Sequence, residues 1–216
     1  MARIALRLMA SSIAAAVAAV VLSSGDSSAY ALLGPRWPQP QTSYFVNAAN
    51  LDLASGAADA AVRDGADTWR LQSGAFNFAY AGTSSQNTTT NDGINVVMFR
   101  NASSGSAIAT TYWWSSGSRI IDADIVFWDA AFKFFGGSSG CAGGFYIEDI
   151  AAHEFGHALG LGHSAAGTAT MFPSASTCDR GLRALDPDDI SGVRALYPPA
   201  ALPPTPTGLR IVSVGG

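Results

Sequence analysis

Histidine, lysine and cysteine are scarce in this chain of 216 residues. It has three histidines, two cysteines and one lysine, Lys133, and its formal net charge is -4. An acidic chain with one lysine argues against a basic surface for nucleic acid or anionic lipid. The uninterrupted apolar run, Ile13 to Leu22, is shorter than the ~20 residues that cross a bilayer. We therefore expect no nucleic-acid partner and no stable membrane insertion.

The first 31 residues differ in composition from the rest of the chain. Arg3 and Arg7 give a positive start, the apolar run follows, and Ala29-Tyr30-Ala31 forms an A-x-A cleavage pattern. This order is typical of a secretory signal peptide. Residues 1–31 therefore predict a secreted, extracellular protein. The alternative is an uncleaved membrane anchor, which the short apolar run disfavours.

Residues 32–198 form a stretch long enough for one domain with a hydrophobic core. Charged residues make up 13% of the chain, whereas glycine is abundant at 23 residues, which suits a globular domain with long loops. Residues 199–216 start with prolines, which predict a stiff linker, and end in what could be the start of a further β domain. We expect the single domain to be monomeric.

Apolar patterns predict strands in the first part of the domain and helices around and after them. The predicted strands are Thr42–Asn47, Phe76–Tyr80, Ile94–Phe99, Ala107–Trp113 and Arg119–Phe127. Helical spacing predicts one long helix at Ala57–Ser73 and another at Asp149–Leu159. Asp186 and Pro187 suit the N-cap and first position of a last helix.

All three histidines lie within residues 153–163, HEFGHALGLGH. On a helix, His153 and His157 lie on one face and can share a tetrahedral zinc ion. Gly160 can end the helix in a left-handed conformation and turn the chain back, which makes His163 a third ligand. Three protein ligands leave the fourth position open for catalysis, and Glu154 beside them can act as a general base. A chance pattern on a solvated helix face is the alternative.

The extended motif H-E-x-x-H-x-x-G-x-x-H is the metzincin signature, and the chain resembles the matrixin branch of that family. Met171, eight residues after His163, is similar to the methionine of the metzincin Met-turn, which forms an apolar floor under the zinc ligands. Phe172 departs from the matrixin pattern, in which a tyrosine follows that methionine. The last helix, with its paired acids and terminal Leu196-Tyr197, is also similar to the closing helix of matrixins.

This resemblance, over about residues 34–198, implies an α+β, metzincin or zincin-like fold. It has a twisted, mixed five-stranded sheet, two long helices, and a small C-terminal subdomain with a third helix. Two features of the sequence depart from vertebrate matrixins. No histidine remains for a second, structural zinc, and no cysteine precedes Cys141 to act as a propeptide ligand of the catalytic zinc.

The resemblance implies a secreted zinc endopeptidase that hydrolyses peptide bonds in protein or peptide substrates. One catalytic zinc would be held by His153, His157 and His163, with Glu154 as the general base. The strand at Ala107–Trp113 would bind extended substrate along the cleft, or be an ordinary paired strand. The alternative function is a zinc-stabilised binding module that has lost turnover. A metzincin of the astacin or adamalysin branch would have the same chemistry.

Three further sets of residues are candidate functional positions. Asp122 and Asp124 point the same way from their strand and could hold calcium, as matrixins do near this sheet, or form a solvated face. Asp149, four residues before His153, corresponds to the base of the matrixin specificity pocket. It could equally be a helix-start residue that favours the dipole.

Cys141 and Cys178 are the remaining candidate pair. They are the two cysteines of a chain predicted to be exported, and they flank the zinc segment. An oxidising compartment favours a disulfide between them. Two free thiols are the alternative.

Overall fold

The computed structural model describes residues 28–199. Residues 1–27 of the predicted signal peptide and the predicted linker from residue 200 lie outside the described residues, so both remain predictions. Within the described range, no helix combines the length and the apolar character needed to cross a bilayer.

A mixed five-stranded sheet forms the centre of the domain. Its strands are β1 (Gln41–Asn47), β2 (Asn77–Thr83), β3 (Val96–Arg100), β4 (Ala109–Ser116) and β5 (Arg119–Trp128). They lie in the order β2-β1-β3-β5-β4. The first four in this order pair in parallel, whereas β4 pairs antiparallel with β5 and lies at the sheet edge.

Apolar side chains cover both faces of the central strands, as expected for parallel strands that are buried on both sides. Val97 and Phe99 of β3 belong to the main core with the helices. Val96 and Met98 belong to a smaller cluster with Val126 of β5 on the other face. The continuous apolar run in β3 therefore follows from burial on two sides.

Three helices accompany the sheet: α1 (Ser55–Thr68), α2 (Ile147–Leu159) and α3 (Pro187–Leu196). A π-helical turn, Trp69–Ser73, continues α1, so the predicted first helix is present with a change of winding at its end. Two short strands, β6 (Phe134–Phe135) and β7 (Phe145–Tyr146), pair just before α2. The predicted α+β architecture with three helices is confirmed.

The ends of α2 and α3 follow the sequence signals for helix capping. Gly160 ends α2 with φ of 106°, and its N–H donates to carbonyl groups of the last turn. Asp186 caps α3 in a reciprocal arrangement with Asp189, and Pro187 occupies the first turn. The cap at Gly160 places a loop next to the histidines, because the chain leaves α2 just before His163.

Candidate metal centre

The histidines meet at the C-terminal half of α2. His153 and His157 lie one helical turn apart, with ring centroids 4.8 Å apart. The left-handed turn at Gly160 brings His163 back, so that its Nε2 lies 3.2 Å from Nε2 of His157. The nearest ligand atoms of all three residues lie within 4.8 Å of one another. This cluster fits a three-histidine zinc site.

Backbone carbonyl groups orient two of the imidazole rings. Nδ1 of His153 donates to the carbonyl oxygen of Thr170 at 2.7 Å, and Nδ1 of His157 donates to that of Leu161 at 2.8 Å. Because a carbonyl can only accept, each Nδ1 carries the proton and each Nε2 keeps its lone pair for a metal. Burial lowers the pKa of His153 to about 3 and also lowers the pKa of His157. Both rings are therefore neutral, as metal ligation requires.

The segment that carries His163 is held by residues from the start of the described chain. The N–H of Gly162 donates to the carbonyl of Ala31 at 2.8 Å, and the N–H of Leu33 donates to the carbonyl of Gly160 at 2.8 Å. The N–H of Ala29 donates to a carboxylate oxygen of Asp188 at 2.8 Å. Cleavage at the predicted signal-peptide site after Ala31 would remove two of these three contacts.

Glu154 lies beside the histidines and is 5% exposed. Its Oε2 accepts a hydrogen bond from the hydroxyl of Thr111, on β4, at 2.6 Å. Burial raises the pKa of Glu154 to about 7, and the bond to Thr111 opposes part of that increase. A carboxylate with this proton affinity suits general-base chemistry near neutral pH.

Met171 is buried against the backbone of α2 at Gly156, which lies between His153 and His157 in the sequence. A Cβ atom built on Gly156 would lie 2.1 Å from the sulfur of Met171 and 2.7 Å from the ring of Trp69. Only glycine leaves room for this approach. The carboxylate of Asp189 accepts the N–H groups of Thr170 and Met171 at 2.7 and 3.1 Å, so α3 fixes the Met-turn.

A cleft of about 730 Å³ runs over the three histidines. Part of its lining comes from residues 107–113, in and just before β4, and we call this segment the strand wall. Another part comes from residues 172–182, and we call this segment the loop wall. Apolar groups dominate the lining, including Phe132, Phe145, Ile150, Phe172 and Leu182.

A sequence model of the matrixin family, peptidase family M10, matches residues 36–198. This chain belongs to the matrixin family. The match contains the whole sheet, all three helices and the three histidines, which confirms the predicted family and fold. Matrixins are zinc metalloendopeptidases, and the histidine cluster agrees with that class.

Individual matrixins match a shorter part of the chain. Matrix metalloproteinase-27 of Tupaia belangeri is 48% identical over 64 residues, which are 30% of this chain and 12% of that protein. Human neutrophil collagenase is 44% identical over 59 residues, 27% of this chain and 13% of that protein. Metalloendoproteinase 5-MMP of Arabidopsis thaliana is 51% identical over 51 residues, 24% of this chain and 14% of that protein. The matched part of this matrixin spans about an eighth of their length.

Asp149 of this matrixin lies away from the cleft lining. The whole residue is 2% exposed, and Oδ2 accepts a hydrogen bond from Nε of Arg183 at 2.8 Å. Arg183 also contacts Glu148, with Nη1 2.5 Å from Oε2. The carboxylate therefore ties α2 to the end of the loop wall. The place of Asp149 at the base of a specificity pocket stays a prediction.

Asp122 and Asp124 point the same way, as predicted, but they face a loop and are 0% exposed. Oδ2 of Asp122 accepts the N–H groups of Asp92 and Gly93, and the two oxygens of Asp124 accept those of Thr90 and Val96. Oδ1 of Asp122 has no hydrogen-bond partner among the described residues. The solvated-face alternative is wrong. Two carboxylates that already bind four N–H groups offer few oxygens for calcium, which needs 6 to 8, so calcium binding stays a prediction.

Cys141 and Cys178 form a disulfide with Cα atoms 5.4 Å apart. This bond confirms the predicted pairing. It connects the loop before α2 to the loop wall, so α2 and Met171 lie inside the covalent loop.

Thr111 and Arg183 are the site residues that sequence reasoning missed. Alternation along β4 places Thr111 on the same side of the strand as Trp113, facing the cleft, but it does not indicate which helical residue lies opposite. Arg183 has no signal in the sequence, because its partners are 34 and 35 residues away.

Proposed function

We propose that this matrixin is a secreted zinc endopeptidase that hydrolyses protein or peptide substrates with Glu154 as the general base. The proposal rests on one observation. Three imidazoles converge beside a buried carboxylate that is not one of the metal-binding groups. A site that served only to hold a structural metal would have no need of that carboxylate.

Different residues would have different roles in peptide hydrolysis. His153, His157 and His163 would hold the ion. Zinc in that position supplies a Lewis acid and lowers the pKa of water toward neutrality. Glu154, whose pKa burial raises to about 7, can take a proton from water and return it to the leaving amine.

The strand wall can position the substrate. Because β4 is the last strand of the sheet, one side of its backbone is available for an extended peptide to pair with it. The loop wall then faces the other side of the peptide, and the apolar lining favours apolar side chains near the cleaved bond.

Replacement of Glu154 by glutamine tests the proposal. Glutamine keeps the volume and can still accept a hydrogen bond from Thr111, but it cannot act as a base. We expect cleavage of an unfolded protein to fall by a factor of roughly 10² to 10⁴. Zinc stoichiometry, measured by atomic absorption, should equal that of the parent.

Two results would contradict the mechanism. Equal cleavage by the zinc-loaded variant and parent would exclude Glu154 as the base. A zinc-loaded parent with no cleavage of unfolded protein would instead favour the zinc-stabilised binding module. Secretion is tested separately, by sequencing the N-terminus of the exported protein.

A further inference from the structure

Thr111 links the strand wall to the carboxylate of Glu154. Its hydroxyl lies 2.6 Å from Oε2 and 3.0 Å from the backbone carbonyl oxygen of the same residue. A threonine hydroxyl has one proton to donate. A charged acceptor forms the stronger hydrogen bond, so the shorter contact, to Oε2, takes the proton.

The position of the hydroxyl is set by the sheet. Thr111 pairs with Ile125 in the antiparallel ladder between β4 and β5, and neighbouring positions are paired in the same ladder. The backbone of Thr111 is therefore held by hydrogen bonds that do not depend on Glu154. Its hydroxyl can act as a fixed point for the glutamate side chain, which is longer and has more rotatable bonds.

The two oxygens of Glu154 have different surroundings. Within residues 28–199, Oε2 accepts its hydrogen bond from Thr111, whereas Oε1 takes part in no hydrogen bond with the protein. Because Oε2 already accepts a proton from the hydroxyl, a proton taken from water is better accommodated on Oε1. The contact thus decides which oxygen carries the proton.

We propose that Thr111 is a positioning residue for peptide hydrolysis, which anchors Oε2 of Glu154 and leaves Oε1 to move the proton from water to the leaving amine. This inference rests on the proposed endopeptidase function. Loss of the hydroxyl should leave the carboxylate in several orientations, and only some of them are productive. Substrate binding should change little, since it depends on the backbone of the strand wall.

Substitution of Thr111 by valine removes the hydroxyl and keeps the shape. We expect kcat for a peptide substrate to fall roughly 10-fold, with KM within about 2-fold of the parent, because one positioning hydrogen bond is lost. Thr111→Ser keeps a hydroxyl and should restore most of kcat.

Thr42→Val is the matched control, since Thr42 is a half-buried strand residue whose hydroxyl accepts one hydrogen bond, from Asn95, away from the cleft. Its kcat should equal that of the parent.

A second readout does not depend on turnover. Glutamate occurs at two positions, 148 and 154, so selective ¹³C labelling of glutamate carboxyl groups gives two resonances. Glu154→Gln assigns them. Thr111→Val should shift the resonance of Glu154 and leave that of Glu148 in place.

The outcomes separate the two proposals. An unshifted Glu154 resonance, an unchanged kcat in Thr111→Val, or an equal loss of kcat in Thr111→Ser would overturn the role of Thr111. An inactive zinc-loaded parent would defeat the endopeptidase proposal, while the resonance would still test the hydrogen bond. If the valine variant does not fold, Thr111→Ala gives the same measurements with a smaller side chain.

Discussion

The two walls of the cleft are held in place by different interactions. Most of the strand wall belongs to β4, which has eight positions paired with β5. The loop wall lies outside helices and strands. It is fixed by the Cys141–Cys178 disulfide, by Arg183 and, at the Met-turn, by Asp189.

This difference decides how each wall responds to mutation. A ladder of backbone hydrogen bonds does not depend on any one side chain, so single substitutions on β4 leave most of it intact. The loop wall depends on a few side-chain links, and each one carries a large share of its order. Substitutions at those links should therefore lower the free energy of unfolding more than single substitutions on β4 do.

Among changes to the two walls, removal of the disulfide should lower the free energy of unfolding most. Replacing Cys141 and Cys178 by serine releases a loop whose ends are 37 residues apart. The chain-entropy treatment gives about 4 kcal/mol for a loop of this size, so the free energy of unfolding should fall by that order. Urea unfolding of the zinc-loaded parent and of the zinc-loaded double variant measures this difference. A loss below about 1 kcal/mol would mean that the loop wall is ordered without the bond.

Arg183→Ala should be next in size. Its guanidinium is the partner of Asp149, whose side chain is 3% exposed, and of Glu148. Removing one partner of a buried pair leaves an uncompensated charge and costs roughly 3 kcal/mol. Arg180→Ala is the matched control, because Arg180 is exposed and donates to the carbonyl of Ser138. The control should lose less than about 1 kcal/mol of unfolding free energy. Equal losses in Arg183→Ala and Arg180→Ala, measured by thermal unfolding, would contradict a stabilising ion pair between Arg183 and Asp149.

The cost of Arg183→Ala should depend on pH. Burial raises the pKa of Asp149 above its ordinary value, and Arg183 partly opposes the increase. An acid whose pKa is raised by folding contributes stability that is full below its unfolded pKa and is lost as the pH rises through its folded pKa. Without Arg183 the folded pKa rises further, so protonation relieves the unpaired charge.

We therefore expect the stability difference between parent and Arg183→Ala to shrink as the pH falls from about 7 to about 4. Urea unfolding at several pH values measures this difference. A difference that stays constant or grows toward acid pH would show that the lost interaction is not the ion pair with Asp149 and Glu148.

Met171→Leu should have the smallest effect of the three changes. Leucine nearly conserves the volume, so the substitution should cost less than about 1.5 kcal/mol, and zinc content and cleavage should largely persist. Thermal unfolding and metal analysis check both points. Loss of zinc in this variant would mean that Met171 does more than pack against Gly156.

Much of the site could be predicted because its signals are local in the sequence. The spacing of His153 and His157 is one helical turn, and the glycine that turns the chain back lies three residues further on. The disulfide was also predictable, since a chain with two cysteines has one internal pairing. Thr111 and Arg183 could not be predicted, because each contacts a partner more than 30 residues away and neither belongs to a motif.

The sequence by itself determined the grouping of the three histidines, the helix that carries two of them and the family of the fold. Local spacing and helix geometry are enough for these features. Only the tertiary structure decided which groups surround the buried carboxylates of Glu154 and Asp149. Packing of β4 on α2 placed the hydroxyl of Thr111 at Glu154, whereas the segment that follows the loop wall placed Arg183 at Asp149. These partners come together through long-range packing, which the order of residues along the chain does not encode locally.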